Sequence, residues 1–350
     1  MATQPRLEAA GRMSVPNPLL DALPGLRMPV DEVTRMLRHM WDGDPKEGAH
    51  PVSSFRASQM NLILHFGLET SAAEARARFD SAIAFAQRYP CRIIVLCPEG
   101  PATRKDERLE GKLFSQCYVG KSLHDFCCCE ALVLGYSVDD ARFLESQVSL
   151  WLEADLPVYH WLNRVPPERV GDCYLPFLTR CRRVLFDSDV DPALASEVDW
   201  PEPERVHDLA WARLLPVRQH LGQFLGAVPP DRLVGGLERV SVRYADGHAG
   251  EGRNLLAWIR GALERCVPAG KAGAAATIIY GAEPAGEDGR FTLEVEWSFL
   301  SQKKHFSWEY HARAGTGRVT CNFGHGVTDQ PLHVEPLPEA GVLAEGLFFG

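Results

Sequence analysis

The sequence lacks most of the marks by which chemistry announces itself. None of its 10 cysteines forms a Cys-x-x-Cys pair, which argues against a zinc ribbon or a thioredoxin-type dithiol. None of its 12 histidines opens a His-Glu-x-x-His helix, and no Gly-x-Ser-x-Gly elbow occurs. Basic residues are in deficit, 37 against 46 acidic, for a formal charge of −9. A general nucleic-acid binder needs a basic face for the phosphates, so nucleic acid is not the expected partner. No apolar run approaches the roughly 18 residues that cross a bilayer, and no export signal is read near the first residues. The expectation is a cytoplasmic chain whose thiols stay reduced.

What is present is an ordinary globular composition, 45% hydrophobic and 24% charged over 350 residues. That length suits one large or two medium domains. Residues 1–27 are rich in proline and read as a flexible arm. Val33, Met36, Leu37, Met40 and Trp41 then fall on one helical stripe behind Asp31. The main signal is an alternation of apolar runs with helical periods. Asn61–Phe66 and Cys91–Cys97 read as buried strands flanking a helix over 71–88. A charged loop follows at 99–112, then strands at 113–120 and 124–134 that turn about Gly120-Lys121. A helix is expected over 138–154, a strand over 156–162, a helix over 167–180 and a strand over 183–187. A helical region spans 207–226, broken near Pro216.

After Pro229-Pro230 the texture changes. A strand over 237–244, a helix over 254–266 and four strand-like runs at 275–280, 291–299, 304–312 and 318–323 suggest a separate antiparallel arrangement. The expected fold is therefore an α/β domain over 28–228 with a mostly parallel or mixed sheet. A smaller α+β domain would follow over 234–350.

Near-motifs fail on their own chemistry. Gly120-Lys121-Ser122 resembles the end of a phosphate loop, but Ser115 stands where its first glycine belongs. Asp187, Asp189 and Asp191 mimic the start of a calcium loop, yet Pro192 and Val198 occupy the positions that require Gly and Glu. Gly315-Thr316-Gly317 lacks the third glycine of a dinucleotide fingerprint. No catalytic set, cofactor or metal site is assigned. Cys127, Cys128 and Cys129 are candidate redox thiols, or small residues of a buried strand. His65 and His160 lie in apolar strands and read as hydrogen-bonded core histidines.

Several strings, in order, carry a resemblance. They are Met28-Pro29-Val30-Asp31-Glu32-Val33 through Met40-Trp41, Asn61-Leu62-Ile63-Leu64, and Tyr89-Pro90-Cys91-Arg92-Ile93-Ile94-Val95. Cys128-Cys129-Glu130 and Asp155-Leu156-Pro157-Val158-Tyr159-His160-Trp161 follow. Cys181-Arg182-Arg183-Val184-Leu185-Phe186-Asp187-Ser188 and Asp208-Leu209-Ala210-Trp211-Ala212-Arg213-Leu214, with Pro216 and Arg218, complete the set. Over about 28–225 the chain resembles the glucose-6-phosphate dehydrogenase assembly proteins, the OpcA family. The resemblance implies a non-catalytic protein that assembles or allosterically activates glucose-6-phosphate dehydrogenase, supporting NADPH formation in the oxidative pentose phosphate pathway. Trp161, Asp208, Trp211, Arg213 and Arg218 are then candidate partner-binding residues. Trp161 reads equally as an interface or a core residue. Arg213 and Arg218 read as pairing with a partner's acids or with Asp187 and Asp189 of this chain. The competing expectations are an α/β enzyme or binding protein for a phosphosugar or nucleotide, and a thiol sensor.

Overall fold

A computed structural model describes residues 17–41, 58–101, 109–119, 126–267, 278–286 and 291–349. Two sheets organise them.

The first sheet has eight strands. They are β1 (Leu26–Pro29), β2 (Met60–Phe66), β3 (Cys91–Glu99), β4 (Glu110–Val119), β5 (Phe126–Ser137), β6 (Val158–Asn163), β7 (Arg183–Phe186) and β8 (Val206–Asp208). The spatial order is β1-β4-β5-β3-β2-β6-β7-β8. All neighbours from β5 to β8 run parallel, and β4 runs against both β1 and β5. Every residue of β2 is buried, because helices cover both faces of a parallel sheet. That is why its sequence is a continuous apolar run rather than an alternation.

One face carries α1 (Pro18–Ala22), α3 (Ala72–Arg88) and a late helix, Glu339–Ala344. Ser71 caps α3 by accepting from the Glu74 N–H, and its stripe of Ala75, Phe79, Ala82, Ile83 and Ala86 is buried. The opposite face carries α2 (Val30–Trp41), α4 (Leu144–Ser149) and three short helical pieces, Pro167–Arg169, Val170–Tyr174 and Leu175–Leu178.

The second sheet has the order β10-β9-β11-β12-β13-β14. Its strands are β9 (Leu237–Tyr244), β10 (Ile279–Pro284), β11 (Leu293–Phe299), β12 (His305–His311), β13 (Thr316–Asn322) and β14 (Thr328–His333). Only β9 and β10 pair parallel. Between the sheets run α5 (Leu209–Arg213), α6 (Leu215–Gly226) and α7 (Pro230–Val234), and α8 (Ala249–Cys266) follows β9. Leu221, Leu255, Ile259 and Leu263 pack on one face of this sheet. The other face is polar, with Arg243 paired to Glu294 and Arg318 paired to Asp329.

Several expectations need correction. Residues 17–27 are not a flexible arm. Asn17 accepts from the Leu20 N–H at 2.9 Å and donates to the Cys97 carbonyl at 3.2 Å, while Leu19, Leu20 and Leu23 are buried. Asn17-Pro18 is a helix start, Asn at the cap and Pro at the first helical position, hidden among other prolines. Residues 1–16 lie outside the described residues, as does the turn at Gly120-Lys121. The helix over 138–154 is shorter, a 3-10 turn leading into α4. The helix expected at 254 begins at Ala249. β14 was not anticipated, because Asp329 and Pro331 interrupt its apolar pattern. The helix α9 (Glu339–Ala344) and the π-helical turn Glu345–Phe349 after it return to the first sheet, where Val342, Leu343 and Leu347 join the core beside α3.

Candidate functional site

In an open parallel sheet, ligands bind beyond the carboxyl ends of the strands, at the point where strand order reverses. Here the chain steps from β2 to β3, then to β5, and returns to lay β6 on the other side of β2, so the reversal lies between β2 and β6. The loops leaving these strands are stitched together. The Gly67 N–H donates to the Asn163 carbonyl at 2.8 Å, and Thr70 Oγ1 donates to the same carbonyl at 3.3 Å. Arg164, with φ of 57°, donates Nε to Glu74 at 2.7 Å and its backbone N–H to Asp191 at 2.6 Å. A Cβ on Gly67 would fall 1.5 Å from the Arg164 carbonyl oxygen, so only glycine allows this approach. Hydrogen bonds between the loops thus cross the strand ends at the point where such a sheet binds a nucleotide.

Beneath it runs a chain of buried polar groups. His65 on β2 and His160 on β6 meet through Nδ1 and Nε2 at 3.1 Å. His65 Nε2 contacts the Tyr136 hydroxyl at 2.7 Å, and that hydroxyl contacts Tyr174 at 2.8 Å. His160 Nδ1 is buried without a hydrogen-bond partner among the described residues. The arrangement with fewest orphaned groups has His160 Nε2–H donating to His65, and His65 Nε2–H donating to Tyr136. A bare lone pair then remains on His160 Nδ1, rather than an unpaired N–H. Burial lowers the pKa of His65 to about 3 and that of His160 well below its ordinary value, with the neighbouring ring adding to the second effect. Both rings are neutral structural members of a strand pair.

A buried charged cluster joins the two sheets. Asp187, Ser188 and Asp189 follow β7, and Asp208 ends β8. Arg213 on α5 donates Nη1 and Nη2 to Asp187 at 2.8 Å each, Nη2 to Asp189 at 2.6 Å, and Nε to Glu251 of α8 at 2.6 Å. Asp189 Oδ1 accepts from the Gly250 N–H at 2.6 Å, at the first turn of α8. Here too a side chain is excluded, since a Cβ on Gly250 would lie 2.2 Å from Ser188 Oγ and 2.8 Å from the Asp189 nitrogen. Asp208 accepts from the Ser188 N–H at 3.0 Å and hydroxyl at 2.6 Å, from the Ala210 N–H at 2.9 Å, and from Asn254 Nδ2 at 2.6 Å. Burial, then the charges of Glu251 and Asp187, raises Asp189 to about 6. His248 is raised chiefly by its hydrogen bond to Glu251. Asp189, His248 and Glu251 present ligand atoms within 4.8 Å of one another, but the Arg213 guanidinium already supplies the cation between the two carboxylates.

Arg213 thus pairs internally, the alternative that keeps it within this chain, and Asp208 is a cap and a joint. Trp161 is 1% exposed and packs in the core beneath α3, so it is not a surface anchor. Its bulk and the parallel register with Leu64 place it inside the sheet. Trp211 is half-buried beneath Arg218, whose guanidinium carbon lies 3.6 Å from the ring centroid and whose Nη2 is 3.9 Å from Glu345. Cys129 is fully buried, which excludes it as a direct sensor of oxidants. The side chains of Cys127 and Cys128 lie outside the described residues.

Sequence reasoning missed Glu251, His248 and Asn254, which stand before or at the edge of the expected helix, and the Tyr136–Tyr174 link. The His65–His160 contact was recoverable: aligning β2 with β6 as parallel neighbours sets the two histidines almost side by side near the strand ends.

Residues 82–199 match the family described as the glucose-6-phosphate dehydrogenase subunit N-terminal domain, the OpcA assembly family. Over that segment the chain is similar to the OpcA family. A Synechocystis sp. protein that bears the name OpcA and is assigned by that name to the OxPP cycle is 26% identical over 185 residues. The alignment covers 50% of this chain and 37% of that relative, so the chain spans well under half the length of the relative it matches. The match takes in the second half of α3, β3 to β7 and His160, and ends before Asp208 and Arg213. The family name points to glucose-6-phosphate dehydrogenase assembly, and the relative's name to the OxPP cycle. No helix among the described residues is long and apolar enough to cross a membrane.

Proposed function

We propose that this chain is a non-catalytic partner of glucose-6-phosphate dehydrogenase that promotes its assembly or activates it allosterically, and so raises NADPH formation. The observation that carries this reading is the family match over residues 82–199. Two features of the fold support a protein that acts by its surfaces. Backbone and side-chain hydrogen bonds tie the loops together at the strand-order reversal. Asp187, Asp189 and Glu251 are all paired within the chain to Arg213, between the two sheets.

On this reading the two sheets are two domains that meet near residues 228–234, with α9 returning to the first, held by the Arg213 cluster, and the protein works in the cytoplasm. Trp211 with Arg218 is the part of the α5–α6 segment that reaches the surface beside a partner. Co-elution tests the reading: purified dehydrogenase and this chain, mixed at micromolar concentration, are expected to leave a sizing column together. Separate elution, with no change in the dehydrogenase's oligomeric size, contradicts it.

A further inference from the structure

The second sheet is covered unevenly. α6 and α8 bury the apolar residues of β9 to β13, but β14 runs beyond them. Thr328, Gln330 and Leu332 pair with Cys321, Val319 and Gly317, so they share the helix-covered face; yet Thr328 and Gln330 are exposed and Leu332 is only half-buried. Between this bare stretch of β14 and the flank of α6 lies a cleft of about 660 Å³. Phe224, Phe323 and Leu332 form its apolar floor, and His220, Arg232 and His325 stand around it.

The charge of the cleft runs against the charge of the chain. No Asp or Glu lines it, although acids outnumber bases 46 to 37 overall. The acid of β14, Asp329, points to the opposite face, where Arg318 Nε donates to it at 2.7 Å. Arg232 makes no ion pair among the described residues. It is set in place by its helix, since Lys304 Nζ donates to the Arg232 carbonyl at 3.4 Å and to the Gly235 carbonyl at 3.0 Å. Val327, between the lining residues Gly326 and Thr328, is 67% exposed. Pro331 has no N–H to offer along the outer edge of β14, which disfavours extension of the sheet by another strand. From Thr328 to Leu332 the open face is roughly 13 Å long, about two turns of helix.

We propose that this cleft docks an acidic, amphipathic segment of the partner protein. An apolar side chain would lie between Phe224 and Phe323, with carboxylates toward Arg232, His220 and His325. The proposal rests on the partner being glucose-6-phosphate dehydrogenase. Its test is a binding titration of the full chain against that enzyme with Arg232→Glu, Gln330→Trp, Arg232→Lys and, on exposed α3 of the other sheet, Arg76→Glu. The first two are expected to weaken binding at least tenfold, the last two to leave it within threefold. As a readout independent of stability, a photo-crosslinker at position 330 is expected to form an adduct with an acidic segment of the dehydrogenase. Unchanged affinity in the first two variants with no such adduct overturns the cleft while sparing the partner. An adduct between two copies of this chain overturns it in favour of self-association. Absence of binding by the unmodified chain overturns the partner assignment, and the cleft's role with it.

Discussion

Arg213 Nη2 lies 2.6 Å from Asp189 Oδ2, and Asp189 Oδ1 lies 2.6 Å from the Gly250 nitrogen at the start of α8. One aspartate thus links the helix after the first sheet to the helix that packs on the second. Asp187, Asp189 and Glu251 are all nearly buried, and Arg213 answers all three.

Arg213→Ala leaves those carboxylates without their cation. The expected loss is about 3 kcal/mol or more, the range for breaking a buried pair from one side. Urea unfolding of the variant and of the unmodified chain measures it. A loss under 1 kcal/mol would show that the cluster is solvated and does not hold the sheets together.

Gly250→Ala tests the closeness of the same joint. The new methyl group meets Ser188 Oγ and the Asp189 backbone, so the β7 loop must move away from α8. A destabilisation of roughly 1–3 kcal/mol is expected from such overpacking. Gly261→Ala, on α8 where the added carbon meets only the flexible end of Arg265 at 3.6 Å, serves as the comparison and is expected to be neutral or stabilising.

The histidine pair sets the acid limit. Its folded-state pKa values lie below the unfolded value near 6.5, so between the two the unfolded chain binds more protons. The stabilising contribution is whole above about pH 6.5 and shrinks as pH falls towards about 3, by as much as about 1.4 kcal/mol per pH unit for each ring. Asp189, raised to about 6, runs against this slope at lower pH, so the test is the difference in unfolding free energy between the unmodified chain and His160→Leu, in which Asp189 cancels. The unmodified chain is expected to be the more stable at pH 7.5, and the difference to narrow as pH falls to 5. A difference that stays constant over that range would mean that His160 does not govern the acid limb.

Cys129 is expected to resist thiol reagents in the native chain and to react once the chain is unfolded, because it lies fully buried in β5. Mass spectrometry of the labelled peptides decides it. Rapid native labelling at Cys129 would reopen the thiol-sensor alternative.

The sequence made the first sheet legible where burial on both faces produced unbroken apolar runs, as in Met60–Phe66 and Cys91–Leu96. It was less legible where local pattern and tertiary role part company. Asn17-Pro18 looked like one more turn in a proline-rich arm, yet it starts a buried helix. β14 is exposed along most of its length and so has no apolar alternation to read. Among the candidate residues, the internal pairing of Arg213 with Asp187 and Asp189 was foreseeable from charge alone. Glu251 was not, because it comes from a helix 38 residues further along the chain. Trp161 shows the limit of residue type as a guide, since the same side chain serves interface anchors and cores, and burial alone separates them.

The proposed partner of this chain is glucose-6-phosphate dehydrogenase. The most direct measurement is the initial rate of NADPH formation by the purified dehydrogenase as this chain is titrated in, over a range of glucose 6-phosphate concentrations. A saturable rise in rate or fall in KM at micromolar chain, absent when the chain is added alone, is the predicted result. A rate and KM that stay constant throughout the titration would contradict the account.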